Sequence, residues 1–316
     1  MQSTDYWSYR VKIHSYNEWD QLRETYVGIA DHANWPSEDP VFANESEKTL
    51  WKETPVPSGP VPQWIIDEAN EDLDSLAAIL VEQGVKVNRP TDMNFQMMGG
   101  MYNYCPRDRL LIAGDRILDP PMMYPCRNME VLCYKEMTKD NTVIEMPRDQ
   151  DLTLDAANIC RLGDTWLYLE SESGNRAAYE WLCEKFPNIN IELVNFYAGV
   201  HIDSTIVPLR EGLLLANRPR VKSKRYLPKV LKDWKIIYVD DMVPQSFYEY
   251  PYASKWIGLN MLAVNSDTVI MDPAQTTLIN ILEKHKFNII THTLRHSRTL
   301  GGGHHCVTLD TWRENA

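Results

Sequence analysis

Cysteine is scarce in this sequence and is never paired at short spacing. Six cysteines occur among 316 residues, and no two of them form a C-x-x-C motif. Their spacing does not match that of common zinc or redox motifs, and in a reducing compartment such cysteines are expected to be free thiols. One of them could therefore have a chemical role of its own.

The chain also lacks a long apolar segment. Apolar stretches such as residues 213–216 are far shorter than the about 20 residues that a membrane-spanning helix needs. Residues 1–7 contain no basic segment followed by an apolar run, so we expect no secretory signal. The sequence therefore predicts a cytoplasmic protein with no membrane partner.

An excess of positive charge is missing as well. The formal net charge is -12 at pH 7, whereas nucleic-acid binding needs a clustered excess of lysine and arginine. The basic run at residues 218–225 is the exception, and we interpret it as a solvated face or a carboxylate-binding site. No nucleic-acid partner is predicted.

Three segments of the sequence have the pattern of β-hairpins that end at a proline. They are residues 110–120, 204–219 and 260–273, each with two apolar runs of β type around a polar turn. Apolar residues at helical spacing predict helices at residues 64–83, 177–186, 226–234 and 276–286. A strand is expected after each helix, so the pattern predicts an α/β fold with repeated ββαβ units.

The two ends of the chain complete this pattern. An opening strand at residues 21–30 and a closing strand at residues 306–311 would form a fifth unit divided between the termini. The sequence therefore predicts a repeat protein closed into a ring. Polar residues at the start or end of strands in different units would then meet in a central pocket: Asp108, Asp155, His201, Asp203 and Cys306.

Cys306 carries the strongest chemical signal. It follows three glycines in Gly301-Gly302-Gly303-His304-His305-Cys306, and because glycine has no Cβ, a substrate could lie close to this backbone. His201 and Asp203 are two residues apart, so on an extended segment both would point into one pocket. A nucleophilic cysteine needs a neighbouring histidine or another positive influence, since free cysteine is only a few per cent thiolate at pH 7. The alternative is a small core cysteine, a flexible turn and a chance His-x-Asp pair.

Ordered motifs extend nearly from one end of the chain to the other. They are Asn17-Glu18-Trp19-Asp20 with Val27-Gly28, Pro106-Arg107-Asp108, Asp155-Ala156-Ala157-Asn158 with Arg161-Leu162-Gly163-Asp164, His201-Ile202-Asp203, Asn217-Arg218-Pro219-Arg220, Ser254-Lys255-Trp256 and the glycine-rich segment that ends at Cys306. In these motifs the sequence resembles the arginine amidinotransferases, a family that includes the glycine, inosamine and cyanotoxin amidinotransferases. The resemblance implies one domain over residues 1–316, an α/β-propeller (pentein) of five ββαβ units around a pseudo-fivefold axis.

The resemblance also implies catalytic roles for three residues. Cys306 would attack the guanidinium carbon of L-arginine and form a covalent amidino-cysteine. His201 would protonate the departing ornithine nitrogen and then take a proton from an incoming amine. Asp155 would orient His201 and pair with its charge. No cofactor and no metal ion are implied, the partners are small molecules, and the protein is expected to be a monomer or a homodimer.

Four further residues would bind the substrate. By the same resemblance, Asp108 and Asp203 accept hydrogen bonds from the guanidinium group, which suits carboxylates because it carries five donors and a delocalised charge. Arg220 would pair with the substrate carboxylate, and Ser254 would contact the amino-acid end of the substrate.

The chain departs from the family at positions near the expected acceptor pocket. Ala253 replaces the first serine of the Ser-Ser-Lys-Trp motif of glycine amidinotransferase, and Ala198-Gly199-Val200 precedes the catalytic histidine where glycine-using members carry an Asn and a Met. Only a brief loop lies between Tyr134 and Asp151, where the vertebrate-type enzymes have a long insertion. We therefore expect a wider pocket, with glycine a poor acceptor and ornithine, lysine or a diamine used at least as well.

Two other functions fit parts of the sequence. An arginine deiminase or dihydrolase of the same superfamily would let water attack the shared intermediate. A metal-binding or structural propeller would use His292, His296, His304, His305 and Cys306 as ligands. The second is disfavoured, because residues 304–306 on a strand would point to alternate faces. One of the two histidines beside Cys306 is expected to line the pocket and the other to pack.

Overall fold

The protein is built largely from three-stranded sheets. A computed structural model describes residues 10–43 and 56–314. Residues 1–7, for which we expect no secretory signal, lie outside the described residues. Five three-stranded sheets and one two-stranded sheet are formed within these ranges. In each three-stranded sheet the central strand pairs antiparallel with one neighbour and parallel with the other. The predicted α/β fold is confirmed.

The first sheet joins the two ends of the described chain, as the sequence predicted. The five sheets, each with its central strand second, are Thr308–Glu314, Gln21–Val27 and Lys86–Asn88; Leu111–Ala113, Arg116–Asp119 and Val143–Glu145; Ile159–Arg161, Thr165–Leu169 and Asn190–Val194; Ile206–Arg210, Leu213–Asn217 and Lys235–Val239; and Leu262–Asn265, Thr268–Met271 and Asn288–Thr291. The two-stranded sheet consists of Asn34–Trp35 and Gly59–Pro60.

Helical segments connect the central strand of each sheet to its parallel neighbour. In sheet order they are Gln63–Glu82; the 3₁₀ helix Pro125–Tyr134 with Lys135–Thr138; Arg176–Lys185; the 3₁₀ turns Lys224–Tyr226 and Lys229–Leu231; and Thr276–Lys284. Short helices that the sequence analysis did not predict occur at Phe95–Met98, Pro106–Arg109 and Ser297–Leu300. Of the four helices that apolar spacing predicted, three are present, and the one at residues 226–234 is not.

The long helix Gln63–Glu82 forms because its apolar residues recur at helical spacing. Its buried stripe is Ile65, Ile66, Ala69, Leu73, Leu76 and Leu80, which matches the period of 3.6 residues. The chain leaves the helix through Gly84, whose φ of 76° is the left-handed conformation that glycine adopts without a steric cost.

The predicted helix at residues 226–234 is wrong. Two short 3₁₀ turns take its place, separated by Leu227 with a ψ of 149° and Pro228 with a ψ of 152°. Proline has no N–H to donate and disfavours the helical conformation in the residue before it. Leu227 and Leu231 are nevertheless buried, so the apolar spacing predicted the buried residues correctly but not the backbone conformation.

Buried apolar side chains form clusters that join neighbouring sheets. One cluster combines Leu22 and Val27 of the first sheet with Leu262 and Ile270 of the fifth, and others join the first to the second, the second to the third, the third to the fourth and the fourth to the fifth. Each sheet thus packs on the sheets before and after it. Among the described residues, no helix is long and apolar enough to cross a membrane.

Candidate active site

A single cavity of about 390 Å³ contains every site residue that the sequence predicted. Cys306, His201, Asp155, Asp108, Asp203, Arg220 and Ser254 all lie on its wall. They come from segments at the ends of strands: Asp155 precedes the strand Ile159–Arg161, His201 and Asp203 precede Ile206–Arg210, and Cys306 precedes Thr308–Glu314. Residues more than a hundred positions apart therefore meet at one site.

The thiol of Cys306 is buried and is held by neighbours on several sides. Its Sγ accepts a hydrogen bond from Asn260 Nδ2 at 3.1 Å and donates to Asp203 Oδ2 at 3.3 Å. Hydrogen bonding with Cys105, burial and the negative charge of Asp203 raise the pKa of Cys306 well above its ordinary value, while hydrogen bonding with His201 opposes this rise. The thiol is thus protonated in this arrangement, and a positive charge in the cavity would favour the thiolate.

His201 lies between two carboxylates. Its Nε2 is 3.1 Å from Asp155 Oδ2, and its Nδ1 is 3.6 Å from Asp108 Oδ1. Burial alone would lower the pKa of His201, but the charge of Asp108 and the hydrogen bond to Asp155 outweigh it and raise the pKa well above its ordinary value. The ring is therefore held as an imidazolium that can donate a proton.

The segment that carries His201 and Asp203 is a turn, so the predicted extended conformation is wrong. His201 has a φ of 58°, and its backbone N–H donates to Asn158 Oδ1 at 3.2 Å. A positive φ is uncommon for a residue other than glycine and points to a conformation that its surroundings impose. The turn still brings both side chains to the cavity.

Asp203 is part of a chain of hydrogen bonds behind the nucleophile. Its Oδ2 accepts from His305 Nδ1 at 2.9 Å as well as from the Cys306 thiol, and His305 Nε2 lies 3.4 Å from Glu18 Oε2. Burial favours the neutral acid, but the hydrogen bond and charge of His305 prevail and lower the pKa of Asp203 to about 2. Asp203 is therefore a fixed negative charge next to the sulfur.

Asp108 is supported by a buried arginine that the sequence analysis missed. Arg127 Nη1 donates to Asp108 Oδ2 at 3.0 Å, while its Nε and Nη2 bind Glu130 at 2.9 and 3.1 Å. Asp108 Oδ1 is buried and makes no hydrogen bond within the described residues. Burial raises the pKa of Asp108, although His201 and Arg127 oppose the rise. Asp108 lies on the cavity wall, and its Oδ1 thus has capacity to accept from a ligand.

Arg220 and Ser254 occupy the outer part of the same cavity. Arg220 Nη1 donates to the hydroxyls of Ser204 at 2.9 Å and Thr205 at 2.7 Å, and its guanidinium lies 3.8 Å from the ring centroid of Tyr197. No carboxylate of the described residues is within ion-pair distance of Arg220, which leaves its charge for a ligand. Ser254 Oγ accepts from Trp256 N at 3.3 Å and caps the turn Lys255–Leu259.

The three glycines before Cys306 mainly allow protein packing, which corrects the expected role as a substrate cradle. Gly301 has a φ of 79° and faces the ring of Tyr252. A Cβ on Gly302 would collide with Cys105 Sγ, and one on Gly303 would lie 2.8 Å from Cβ, O and Oδ1 of Asn260. Only Gly301 of the three lies on the cavity wall within the described chain. Glycine is needed at the other two positions because protein atoms fill the space of a side chain.

The two histidines beside Cys306 have separate surroundings. His305 contacts Asp203, as described, whereas His304 Nε2 lies 3.2 Å from His292 Nδ1. Burial and the nearby His292 lower the pKa of His304 to about 3. Residues 304–306 lie in a turn and not in a strand. Within residues 10–43 and 56–314, no group of three or more His, Cys, Asp or Glu side chains is placed to hold a metal ion.

Several known proteins with similar sequences are amidinotransferases. The inosamine-phosphate amidinotransferase 1 of Streptomyces griseus is 38% identical over 339 aligned positions, which cover 96% of this chain and 97% of that protein. The L-arginine:L-lysine amidinotransferase of Pseudomonas savastanoi pv. phaseolicola is 28% identical over 95% of this chain and 94% of its own length. No protein-family model matches the chain.

Solved structures give the same result. The structure of the Streptomyces griseus inosamine-phosphate amidinotransferase superposes with a TM-score of 0.90 at 36% identity, covering 97% of this chain and 98% of that one. An amidinotransferase of the saxitoxin biosynthetic pathway from Microseira wollei superposes with a TM-score of 0.85 at 27% identity, covering 96% of this chain and 98% of that one. The sequence and the fold agree, and this chain belongs to the amidinotransferase family.

Proposed function

We propose that this protein transfers the amidino group of L-arginine to a primary amine through a covalent intermediate on Cys306. One observation carries the proposal: a thiol, a histidine held between two carboxylates and an arginine without a carboxylate partner among the described residues share one cavity. These groups suit a donor that is positively charged at one end and negatively charged at the other.

The donor would lie with its guanidinium group among the buried acids. Asp108 Oδ1 has no hydrogen-bond partner within the described residues, and Asp203 remains ionised, so both can accept guanidinium N–H groups. The α-carboxylate would pair with Arg220, and Ser254 would contact the amino-acid end. A guanidinium between Asp108 and Asp203 would also offset the charges that raise the pKa of Cys306, so donor binding would favour the nucleophilic thiolate.

As arginine binds, the Cys306 thiol releases its proton to solvent, and in the first half of the reaction the thiolate attacks the guanidinium carbon. A C–S bond forms, and the bond between that carbon and Nε breaks. His201 donates its proton to the departing nitrogen, so ornithine leaves as an amine and an amidino group remains on Sγ. His201 is then neutral and hydrogen-bonded to Asp155, which holds the ring in position for the second half.

In the second half, an acceptor amine attacks the amidino carbon. His201 takes a proton from the attacking nitrogen as the new C–N bond forms and the C–S bond breaks. Cys306 leaves as a thiolate, the product is the guanidino form of the acceptor, and His201 has regained the proton that it gave. No proton or electron is left over after one cycle.

The geometry supports a wide choice of acceptors. The Ala198-Gly199-Val200 segment and Ala253 lie on the cavity wall, as do Tyr250, Pro251 and Tyr252. Small side chains leave room for a larger amine, and fewer polar groups remain to hold a small one. We therefore propose that glycine is a poor acceptor and that ornithine, lysine or a diamine serves at least as well. Because relatives of this chain are named for inosamine phosphate and for lysine, the acceptors tested should also include inosamine phosphate.

An assay of arginine with and without each amine tests this proposal. Arginine alone should release no more than one ornithine per protein molecule, continued ornithine formation should require an acceptor, and kcat/KM should be lower for glycine than for the longer amines. Cys306→Ala should abolish ornithine formation, and mass spectrometry of quenched wild-type protein should find one amidino group on the peptide that contains Cys306. Citrulline formed from arginine alone would instead support the hydrolase, and substantial turnover by Cys306→Ala would exclude the covalent mechanism.

The arrangement of the sheets is also part of the proposal. Each apolar cluster joins two consecutive sheets, and one joins the fifth sheet back to the first. We propose that the five units surround a pseudo-fivefold axis as an α/β-propeller, with the cavity at the axis. This arrangement would explain why residues of separate sheets converge on Cys306.

A further inference from the structure

The side chain of Asn260 makes two hydrogen bonds with the nucleophile Cys306 and a third with His305. Its Oδ1 accepts from the backbone N–H of His305 at 3.1 Å and of Cys306 at 3.0 Å, and its Nδ2 donates to Cys306 Sγ at 3.1 Å. Asn260 is 1% exposed and lies between the turn Lys255–Leu259 and the strand Leu262–Asn265. Gly303 packs against it so closely that a Cβ at that position would meet its Oδ1 at 2.8 Å.

The contacts of Asn260 determine which way its amide points. Two backbone N–H groups can only be satisfied by the amide oxygen, so the amide nitrogen must face the sulfur. Donation of two N–H groups to Oδ1 polarises the amide, which strengthens the hydrogen bond from Nδ2. Asn260 is thus oriented before any substrate binds.

We propose that Asn260 is a catalytic residue: its Nδ2 stabilises the thiolate of Cys306, and its Oδ1 fixes the position of Sγ. This inference rests on the proposed role of Cys306 as the nucleophile. The sulfur carries negative charge twice in the cycle, once before it attacks arginine and again when the acceptor displaces it. A fixed donor at the place where charge develops lowers the barrier of both steps, since it needs no reorganisation.

The other groups around the sulfur show why a neutral donor matters. The titratable groups around Cys306 include Cys105, His201, Asp203, Asp108 and Tyr104. The two carboxylates disfavour the thiolate, and His201 loses its positive charge when it protonates the leaving nitrogen. His201 is therefore neutral from the release of ornithine until it takes the proton of the acceptor, whereas the Asn260 amide can donate throughout the cycle.

Asn260→Asp provides the test, because it keeps an acceptor for the two backbone N–H groups but removes the donor to sulfur. We expect kcat to fall by about 10²–10³-fold, as for the loss of one oxyanion-hole donor. The rate of Cys306 alkylation by iodoacetamide is followed against pH on the tryptic peptide of residues 299–313, which contains no other cysteine. Its midpoint should move up by at least one pH unit.

Asn175→Asp serves as the matched control. The Asn175 amide also accepts from a backbone N–H and donates to a backbone carbonyl, but it caps the helix Arg176–Lys185 and is not on the cavity wall. This variant should keep the alkylation profile and kcat of the wild type. Asn260→Ser, which also cannot donate to Sγ from the amide position, replaces Asn260→Asp if that variant does not fold.

The alkylation experiment separates this inference from the proposed function. If a folded Asn260 variant had a wild-type alkylation profile and a kcat within twofold of the wild type, Asn260 would not be catalytic. If Cys306→Ala retained turnover, the covalent mechanism would fail, but the alkylation profile would still report whether Asn260 stabilises the thiolate.

Discussion

His201 depends on its two carboxylate neighbours for its charge. Asp155 and Asp108 raise its pKa although burial opposes them, so removal of either negative charge should lower that pKa. In Asp155→Asn, we expect the limb of the kcat/KM profile that reports loss of the His201 proton to move to lower pH. The rate should also fall by about 10²-fold or more, because the neutral amide holds the imidazolium less well. Steady-state kinetics from pH 6 to 10 measure both effects.

A double variant tests whether His201 and Asp155 act as a unit. His201→Ala should cost orders of magnitude in kcat, and the addition of Asp155→Asn should cost little more, since Asp155 acts through the ring that has been removed. Losses that multiply in the double variant would mean that Asp155 has a separate role.

Arg220 is predicted to recognise the donor through its guanidinium fork. It is anchored by Ser204 and Thr205 through Nη1 and stacks on Tyr197, so its remaining donors can meet a carboxylate. Lysine cannot reproduce the fork or the stacking. In Arg220→Lys we expect KM for arginine to rise at least about tenfold with a smaller change in kcat. Arg225→Lys is the control, because Arg225 is exposed and its guanidinium contacts Tyr226 and not the cavity wall. Equal KM values in the two variants would contradict the assignment.

Sequence motifs predicted some of these site residues but not others. Cys306, His201 and Asp155 have side chains whose chemistry is readable from the sequence, and the structure places them on one cavity. Asn260 and Arg127 carry no such signal, because an amide and a guanidinium are common on protein surfaces. Their importance follows from burial and contacts, which arise only when distant segments pack together.

At the scale of elements, the loop of residues 301–306 positions the nucleophile by close packing. In Gly303→Ala the new Cβ would lie 2.8 Å from Asn260, so the loop must shift. Overpacking of this kind costs about 1–3 kcal/mol, and a displacement of about 1 Å at a reacting group can cost 10²-fold in rate. We expect both a lower melting temperature and at least a tenfold lower kcat.

Gly99→Ala is the control for Gly303→Ala. Gly99 ends the helix Phe95–Met98 with a φ of 67°, and a Cβ there would meet no atom within 4 Å. Alanine at this position strains the backbone by about 1 kcal/mol without touching the site. It should lower stability and leave kcat unchanged; a large loss of activity in Gly99→Ala would show that kcat follows stability and not loop position.

Local sequence patterns predicted helices and strands well where the backbone had neither an interrupting proline nor an unusual φ angle. The stripe of Leu73, Leu76 and Leu80 gave the helix Gln63–Glu82 within one residue at each end. The same reasoning failed at Pro228, since apolar spacing does not include the missing N–H. It also failed at His201, where a positive φ is imposed by packing and hydrogen bonds that the local sequence does not contain.

At the scale of the whole molecule, the two ends of the described chain are joined by their strands and by a buried cluster of charges. Gln21–Val27 pairs with Thr308–Glu314, and Asp310 in the latter binds Arg161 at 2.7 Å and Arg313 at 2.7 Å and pairs with Arg107. The ends could be assigned to one sheet from the repeat pattern. The cluster could not be predicted, because its members come from motifs that gave no indication of their mutual contacts.

Neutralising Asp310 should destabilise the protein strongly. Burial would raise the pKa of Asp310, but the charges of Arg107, Arg161 and Arg313 prevail and lower it well below its ordinary value. The stabilisation is therefore present above the ordinary pKa of about 4 and is lost as pH falls towards the folded-state value. Asp310→Asn leaves the buried guanidinium of Arg313 without a carboxylate partner among the described residues and leaves Arg107 and Arg161 with Glu18 alone, which costs about 3–5 kcal/mol. Urea unfolding at pH 7 should show this loss as a lower midpoint with an unchanged m-value.

Glu314→Gln is the control for Asp310→Asn, because it removes an exposed ion pair between the same two strands. Glu314 pairs with Arg23, so this pair also links Thr308–Glu314 to Gln21–Val27, but its side chains are 51% and 41% exposed. Exposed pairs contribute about 0–1 kcal/mol because water and salt screen them. The difference between the two variants should therefore exceed about 2 kcal/mol at pH 7 and shrink as the pH is lowered below 4, where the unfolded state of the wild type gains protons. Equal losses in Asp310→Asn and Glu314→Gln would mean that strand pairing, and not the buried charge cluster, holds the two ends together.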